Sequence, residues 1–168
     1  MQTEKPIYLI GFMSSGKSTI GRKLAHILER TFIDLDSKIE LETGLSIGSI
    51  FKRFGESYFR DIESQVLKSI QPSKFVMACG GGTPLNPANM SFMQEHGITV
   101  YLKTETGILT QRLSANRGKR PLITNLSDEE LKAFVQKTIS EREPIYNQAQ
   151  FHFDSHRQKL HELVFQLR

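Results

Sequence analysis

At 168 residues, the chain falls within the size range of one domain and is long enough to bury about 70% of its unfolded surface in a full core. An apolar share of 38% and a charged share of 24%, with no Pro/Gly/Ser-rich tract, block of like charge or internal repeat, exclude a disordered or linker-like chain. The single cysteine, Cys79, excludes an internal disulfide framework and a cysteine-type zinc site. A net charge of +4 suits an enzyme of phosphates and carboxylates as well as a nucleic-acid binder, but no nucleic-acid-reading motif is present. The first residues lack the order of a signal peptide, and Ile7 to Ile10 is far too short to span a bilayer. The expectation is one domain over 1–168, cytoplasmic, monomer-sized, and free of membrane and nucleic acid.

In chain order, apolar runs of strand length alternate with amphipathic stretches, the pattern of a parallel sheet covered by helices. The predicted strands are Ile7 to Phe12, Thr31 to Leu35, Phe75 to Cys79, Thr99 to Lys103 and Phe151 to Asp154. After the first, Ile20, Leu24, Ile27 and Leu28 make one apolar helical stripe, with Arg22, Lys23 and Glu29 facing water. From Gly55, the residues Phe59, Ile62, Val66 and Ile70 make another. Periodicity stops between Ser114 and Leu126, a polar segment holding Arg117, Gly118, Lys119 and Arg120 that reads as a lid or as a solvated basic loop. Ser127 with Glu130 reads as a capping box opening a long helix that ends near Tyr146.

The strongest chemical signal is Gly11-Phe-Met-Ser-Ser-Gly16-Lys17-Ser18, which matches G-x-x-x-x-G-K-[ST] between a predicted strand and a predicted helix. Glycines let the backbone bend until successive N–H groups face phosphate oxygens, and the helix start adds its positive dipole end. Lys17 then neutralises the β- and γ-phosphates and the Ser18 hydroxyl ligates magnesium. Asp34 and Asp36 stand two apart at the end of a predicted strand, on one side of its pleat. One acid can then serve the magnesium shell and the other accept a proton from a substrate hydroxyl, or the pair is a solvated strand end with a helix cap. Glu63, three residues after Arg60, can fix the guanidinium toward a bidentate anion or form a plain surface ion pair. Gly80, Gly81 and Gly82 read as a close backbone approach to a ligand or as a tight turn. His152, His156 and His161 are assigned to surface or packing, and Cys79 to the core.

Taken in order, the P-loop, Asp34-Leu-Asp36, Gly55-Glu-x-x-Phe-Arg60-x-x-Glu63, Gly80-Gly-Gly, Arg120-Pro-Leu and Arg142-x-Pro-x-Tyr146 resemble the shikimate kinase family over nearly the whole chain. The resemblance implies a three-layer α/β P-loop kinase fold with a five-stranded parallel sheet. It also implies transfer of the γ-phosphoryl of ATP, with Mg2+, to the 3-hydroxyl of shikimate. By this resemblance Gly11, Ser14, Ser15, Gly16, Lys17, Ser18 and Thr19 hold the nucleotide phosphates, and Arg112 and Arg157 border adenine. Arg120 is then a lid arginine that reaches the phosphates and, with Lys17 and Asp36, forms the catalytic set. Ser18 and Asp34 serve the metal, while Asp36, Arg60, Gly80, Gly81, Gly82 and Arg142 take shikimate. Two departures from the common pattern stand out, namely Ser14 in place of glycine and Cys79 in place of serine or threonine. A kinase of another small hydroxy acid such as gluconate is the rival reading, and a nucleotide switch is a more distant one, lacking Asp-x-x-Gly and Asn-Lys-x-Asp segments.

Overall fold

Four consecutive apolar residues, Ile7–Ile10, form β1, and all four are buried because helices cover both faces of the sheet. The computed structural model describes residues 4–71, 73–116 and 123–168. The remaining strands are β2 (Thr31–Asp34), β3 (Phe75–Ala78), β4 (Ile98–Lys103) and β5 (Phe151–Asp154). They make one five-stranded sheet in the order β2-β3-β1-β4-β5, and every neighbouring pair is parallel. The helices are α1 (Lys17–Ile27), α2 (Leu35–Thr43), α3 (Ile47–Ser69), α4 (Pro87–His96), α5 (Thr106–Ala115), α6 (Asp128–Tyr146) and α7 (Leu160–Gln166).

The period-2 alternation of β1 sorts the core into two layers. Ile7 and Leu9 join Val76, Val100, Leu102 and Phe153 under α1 and α7, through Leu24, Leu28, Leu163 and Val164. Tyr8 and Ile10 face the larger layer, which takes Ile39 from α2, Phe59 and Val66 from α3, Met90 and Met93 from α4, Leu109 from α5 and Val135 from α6. The central strand carries the P-loop at its carboxyl end, where parallel sheets bind ligands.

Several expectations shift in detail. β1 stops at Ile10 because Gly11 takes φ 142, which ends the ladder. β2 stops at Asp34, which caps α2, so Asp36 lies in a helical first turn and not on a pleat. Ile27 belongs to the expected α1 stripe, yet it is 42% exposed at the helix end. α3 begins eight residues before Gly55 and passes through it at φ 85, ψ 173, a conformation open only to glycine. Ile123, inside the expected polar loop, is fully buried in the larger core layer. The capping box of Ser127 and Glu130 is present, and α6 ends at Tyr146. No helix among the described residues is long and apolar enough to cross a membrane.

Candidate active site

The P-loop turns through three positive-φ residues, Gly11 (φ 142), Ser14 (φ 62) and Gly16 (φ 94). Ser14 occupies the left-handed region, where glycine is at ease and a residue with a Cβ costs roughly 1–2 kcal/mol. The loop's carbonyls are tied from within and from outside. The Lys17 ammonium donates to Gly11 O at 2.8 Å and to Phe12 O at 2.7 Å. From α5, Arg112 Nη1 donates to Ser14 O at 2.9 Å. No side chain caps α1, and its first turn contains no acid, so its N–H groups and dipole face the cleft.

A cleft of about 520 Å3 opens here, lined by residues 13–20, Asp34, Asp36, Ala78, Cys79, Gly80, Gly81, Arg112, Asn116 and Ser155. Asp34 occupies the joint between β2 and α2. Its Oδ1 accepts from Ser37 N at 3.2 Å, and its Oδ2 accepts from Ser18 Oγ at 2.8 Å. One carboxylate therefore caps α2 and also reaches the P-loop serine. Asp36 is exposed to the cleft, yet the protein around its carboxyl strips enough water to raise its pKa to about 6. Nearby Asp34 and Glu63 push the same way, and Lys17 partly offsets them.

Arg60 and Arg142 do not line this cleft but stand beside the glycine run that forms one wall of it. Arg60 Nη1 donates to the buried Glu63 Oε2 at 2.9 Å, and its guanidinium lies over Gly82, where an added Cβ would stand 2.5 Å from Nη2. Arg142 comes from α6 and rests 5.9 Å above the Phe12 ring, with Nη1 3.6 Å from where a Cβ on Gly81 would lie. Tyr146, one helical turn on, donates to Gly81 O at 2.6 Å. Burial raises its hydroxyl pKa, while the hydrogen bond and charge of Arg142 pull it down. The glycine run is thus both a wall of the cleft and the space that lets two guanidinium groups approach it.

Other expected residues fall elsewhere. Arg157 is mostly exposed, bound to Glu105 Oε1 at 2.6 Å and Asp154 Oδ2 at 3.6 Å, and does not line the cleft. Its neighbour Ser155 does line it, and the exposed His156 places Nε2 3.3 Å from Arg112 Nη2. Arg120 lies outside the described residues. Cys79 is buried with Sγ 3.7 Å from Met93 Sδ, and burial pushes its thiol pKa up. Asn116 and Ser155 went unnoticed in the sequence, although each follows an element that ends at the cleft. For Ser155 the available signal was its position beyond the carboxyl end of a predicted strand; Asn116, at the end of α5, offered none.

Comparison with known proteins fits this geometry. The family model described as Shikimate kinase matches residues 13–167. A shikimate kinase of Synechococcus sp. (strain JA-3-3Ab) is 41% identical over 165 residues, covering 95% of this chain and 85% of that protein. The crystal structure of shikimate kinase from Bacteroides thetaiotaomicron is similar at TM-score 0.86 and 35% identity, covering 90% of this chain and 87% of that one. Shikimate kinase from Acinetobacter baumannii, in complex with shikimate, gives TM-score 0.85 and 34% identity over 99% of this chain and 92% of that one. A gluconokinase from Sinorhizobium meliloti, at 16% identity and TM-score 0.54, shares the fold alone.

Proposed function

The chain belongs to the shikimate kinase family, and we propose how its residues divide the work of ATP-dependent phosphoryl transfer to shikimate. The reaction moves the γ-phosphoryl of ATP to the 3-hydroxyl of shikimate, a carboxylated cyclohexene triol. Such transfers leave little covalent chemistry to the protein, so positioning and charge neutralisation dominate.

The P-loop N–H groups from Ser14 to Thr19 and the uncapped start of α1 hold the phosphates, while Lys17 neutralises the transferring group from one side. Arg120 is assigned to the other side by the family resemblance. Arg112 is assigned to the adenine end, and Arg157, whose carboxylate partners turn it to the surface, only borders it. The Ser18 hydroxyl and Asp34 carboxylate, 2.8 Å apart at the mouth of the phosphate cradle, form an oxygen pair suited to magnesium. Magnesium, when bound, neutralises charge on the β- and γ-phosphates.

Asp36 accepts the proton of the attacking hydroxyl. A carboxyl that titrates near 6 is ionised at neutral pH and still basic enough to take a proton in the transition state. Arg60 and Arg142 clamp the carboxylate of shikimate against Gly80, Gly81 and Gly82. Their convergence on adjoining glycines beside Asp36 is the observation that carries this reading. The gluconate alternative has a likeness of fold only.

The same reading takes residues 1–168 as one domain, for which two core layers on a single sheet speak, and takes the protein as cytoplasmic, monomeric and without a nucleic-acid partner. Size-exclusion chromatography tests the monomer. With ATP and magnesium, the purified protein is expected to release ADP on addition of shikimate and not of gluconate. Absence of shikimate-dependent ADP release sinks the assignment.

A further inference from the structure

We propose that Thr83 is a positioning residue for the substrate-carboxylate clamp, acting through Glu63 to hold the Arg60 guanidinium over Gly82. The proposal rests on the reading of Arg60 as a shikimate-binding residue. Its starting point is that Arg60 lies between two carboxylates. Nη1 donates to Glu63 Oε2 at 2.9 Å, and Nη2 to Glu56 Oε1 at 3.2 Å. The side chain of Glu56 is 67% exposed, whereas that of Glu63 is 1% exposed. Water solvates Glu56 freely, so nothing fixes its oxygens, and an arginine that follows Glu56 moves toward solvent and off Gly82.

Glu63 can win this competition only if its own carboxylate is held. One oxygen faces Arg60, and the other, Oε1, accepts from Thr83 Oγ1 at 2.7 Å. Thr83 is completely buried and opens the short 3-10 turn Thr83–Leu85 directly after the glycine run. Its backbone is secured in turn. Asn89 Nδ2 donates to Thr83 O at 3.1 Å, and Asn89 Oδ1 accepts from Ser64 Oγ at 2.5 Å. Ser64 adjoins Glu63 on α3, so the hydrogen bonds form a ring from α3 to α4, to the turn and back to α3. Asn89 is 1% exposed. A buried polar ring with its main acceptors paired rigidifies what it surrounds, and here it surrounds the carboxylate that aims Arg60. Without the Thr83 hydroxyl, one oxygen of a buried anion loses its donor, and the carboxylate gains freedom to rotate away from the guanidinium.

The test is T83V, which removes the hydroxyl at nearly constant volume, with T83S as the conservative rescue. T83A replaces T83V if valine does not fold. Shikimate affinity by calorimetry and the shikimate KM are expected to weaken about tenfold in T83V, the size of a hydrogen bond to a charged group. The KM for ATP stays within about twofold, and T83S recovers the affinity for shikimate. Adding E56Q to T83V removes the rival carboxylate and is expected to restore most of the lost affinity, which a general packing defect would not do. Unchanged shikimate affinity in T83V, equal weakening for shikimate and ATP, or no recovery with E56Q overturns the proposal. R60A run in parallel separates the two levels: if R60A leaves shikimate affinity intact, the reading of Arg60 fails first; if only T83V does, the positioning role alone is wrong.

Discussion

The phosphate cradle and the acceptor pocket meet at Asp36, but they are built in opposite ways. The cradle is local: residues 11–18 bend through their own backbone angles, and Lys17 ties two carbonyls within its own loop. The proposed acceptor pocket is assembled from α2, α3, the glycine run and α6, and its two arginines, 82 residues apart in sequence, converge on that run. A local site tolerates distant change and is broken by its own residues. An assembled site can be broken from positions that touch no substrate.

The largest effect is expected where the two regions join. Asp36→Ala removes the proposed proton acceptor and should lower kcat by about 10²–10⁴, with smaller changes in the KM for ATP. Wild-type turnover in stopped-flow or coupled assays would remove Asp36 from the mechanism. Next comes Gly82→Ala, a substitution that acts through the Arg60 guanidinium. Gly82 has φ −94, ψ −11, which alanine adopts readily, but the new Cβ would meet the Arg60 guanidinium at 2.5 Å. Since the tip of a long side chain can swing aside, the fold survives while the clamp is displaced. The shikimate KM should rise about tenfold, the loss of one charged hydrogen bond, and the thermal midpoint should fall because the buried Glu63 carboxylate loses its cation. A wild-type KM for shikimate would show that the glycine is not needed for the clamp.

The pH profile sharpens the comparison further. If transfer needs ionised Asp36, kcat/KM for shikimate, which follows the free enzyme, should fall about tenfold per pH unit below about pH 6, the value to which burial, Asp34 and Glu63 raise it. For stability the sign reverses. Asp36 has a folded pKa above its usual 3.8, so its ionisation costs the native state. That cost is absent below pH 3.8, grows as pH rises through the interval to about 6 and is complete above it. Asp36→Asn should therefore be inactive, yet unfold at a slightly higher temperature than wild type at pH 7.5, with the advantage gone at pH 3.5. A lower thermal midpoint at pH 7.5 contradicts the assigned environment.

The smallest effect belongs to the cradle. Ser14→Gly relieves a left-handed backbone at φ 62 but frees the unfolded chain by about 0.4–1 kcal/mol. The relief of roughly 1–2 kcal/mol outweighs that loss by about 1 kcal/mol, and a thermal gain of about 2–4 °C is expected by calorimetry, with the KM for ATP unchanged. A larger gain would mean that the serine strains the loop more than its dihedral angle implies.

Legibility in the sequence follows the same divide. The P-loop, the five strands and the capping box of α6 are set by residues close in sequence, so periodicity and spacing reach them. The pairing of Arg60 with Glu63 was within reach because three residues on a helix share a face. Asp34 and Asp36 were placed in the right cleft through the wrong geometry, since a strand end and a helix start look alike when a helix begins without a turn. Ile27 broke its stripe because only the packing of the final turn decides which residue is covered. Ile123 could not be found from a polar loop pattern, because its burial comes from joining a core layer built by residues far away in sequence. Thr83 and Asn89 gave no signal, since their hydrogen bonds cross from the glycine turn to two helices.

Asp34 acts as a gauge block between donor and acceptor. One oxygen fixes the first turn of α2, the turn that carries Asp36, and the other fixes Ser18 beside the phosphate cradle. A single short side chain thereby ties the loop proposed to hold the phosphates to the helical turn that carries the proposed proton acceptor, so their spacing is present in the fold before either substrate arrives.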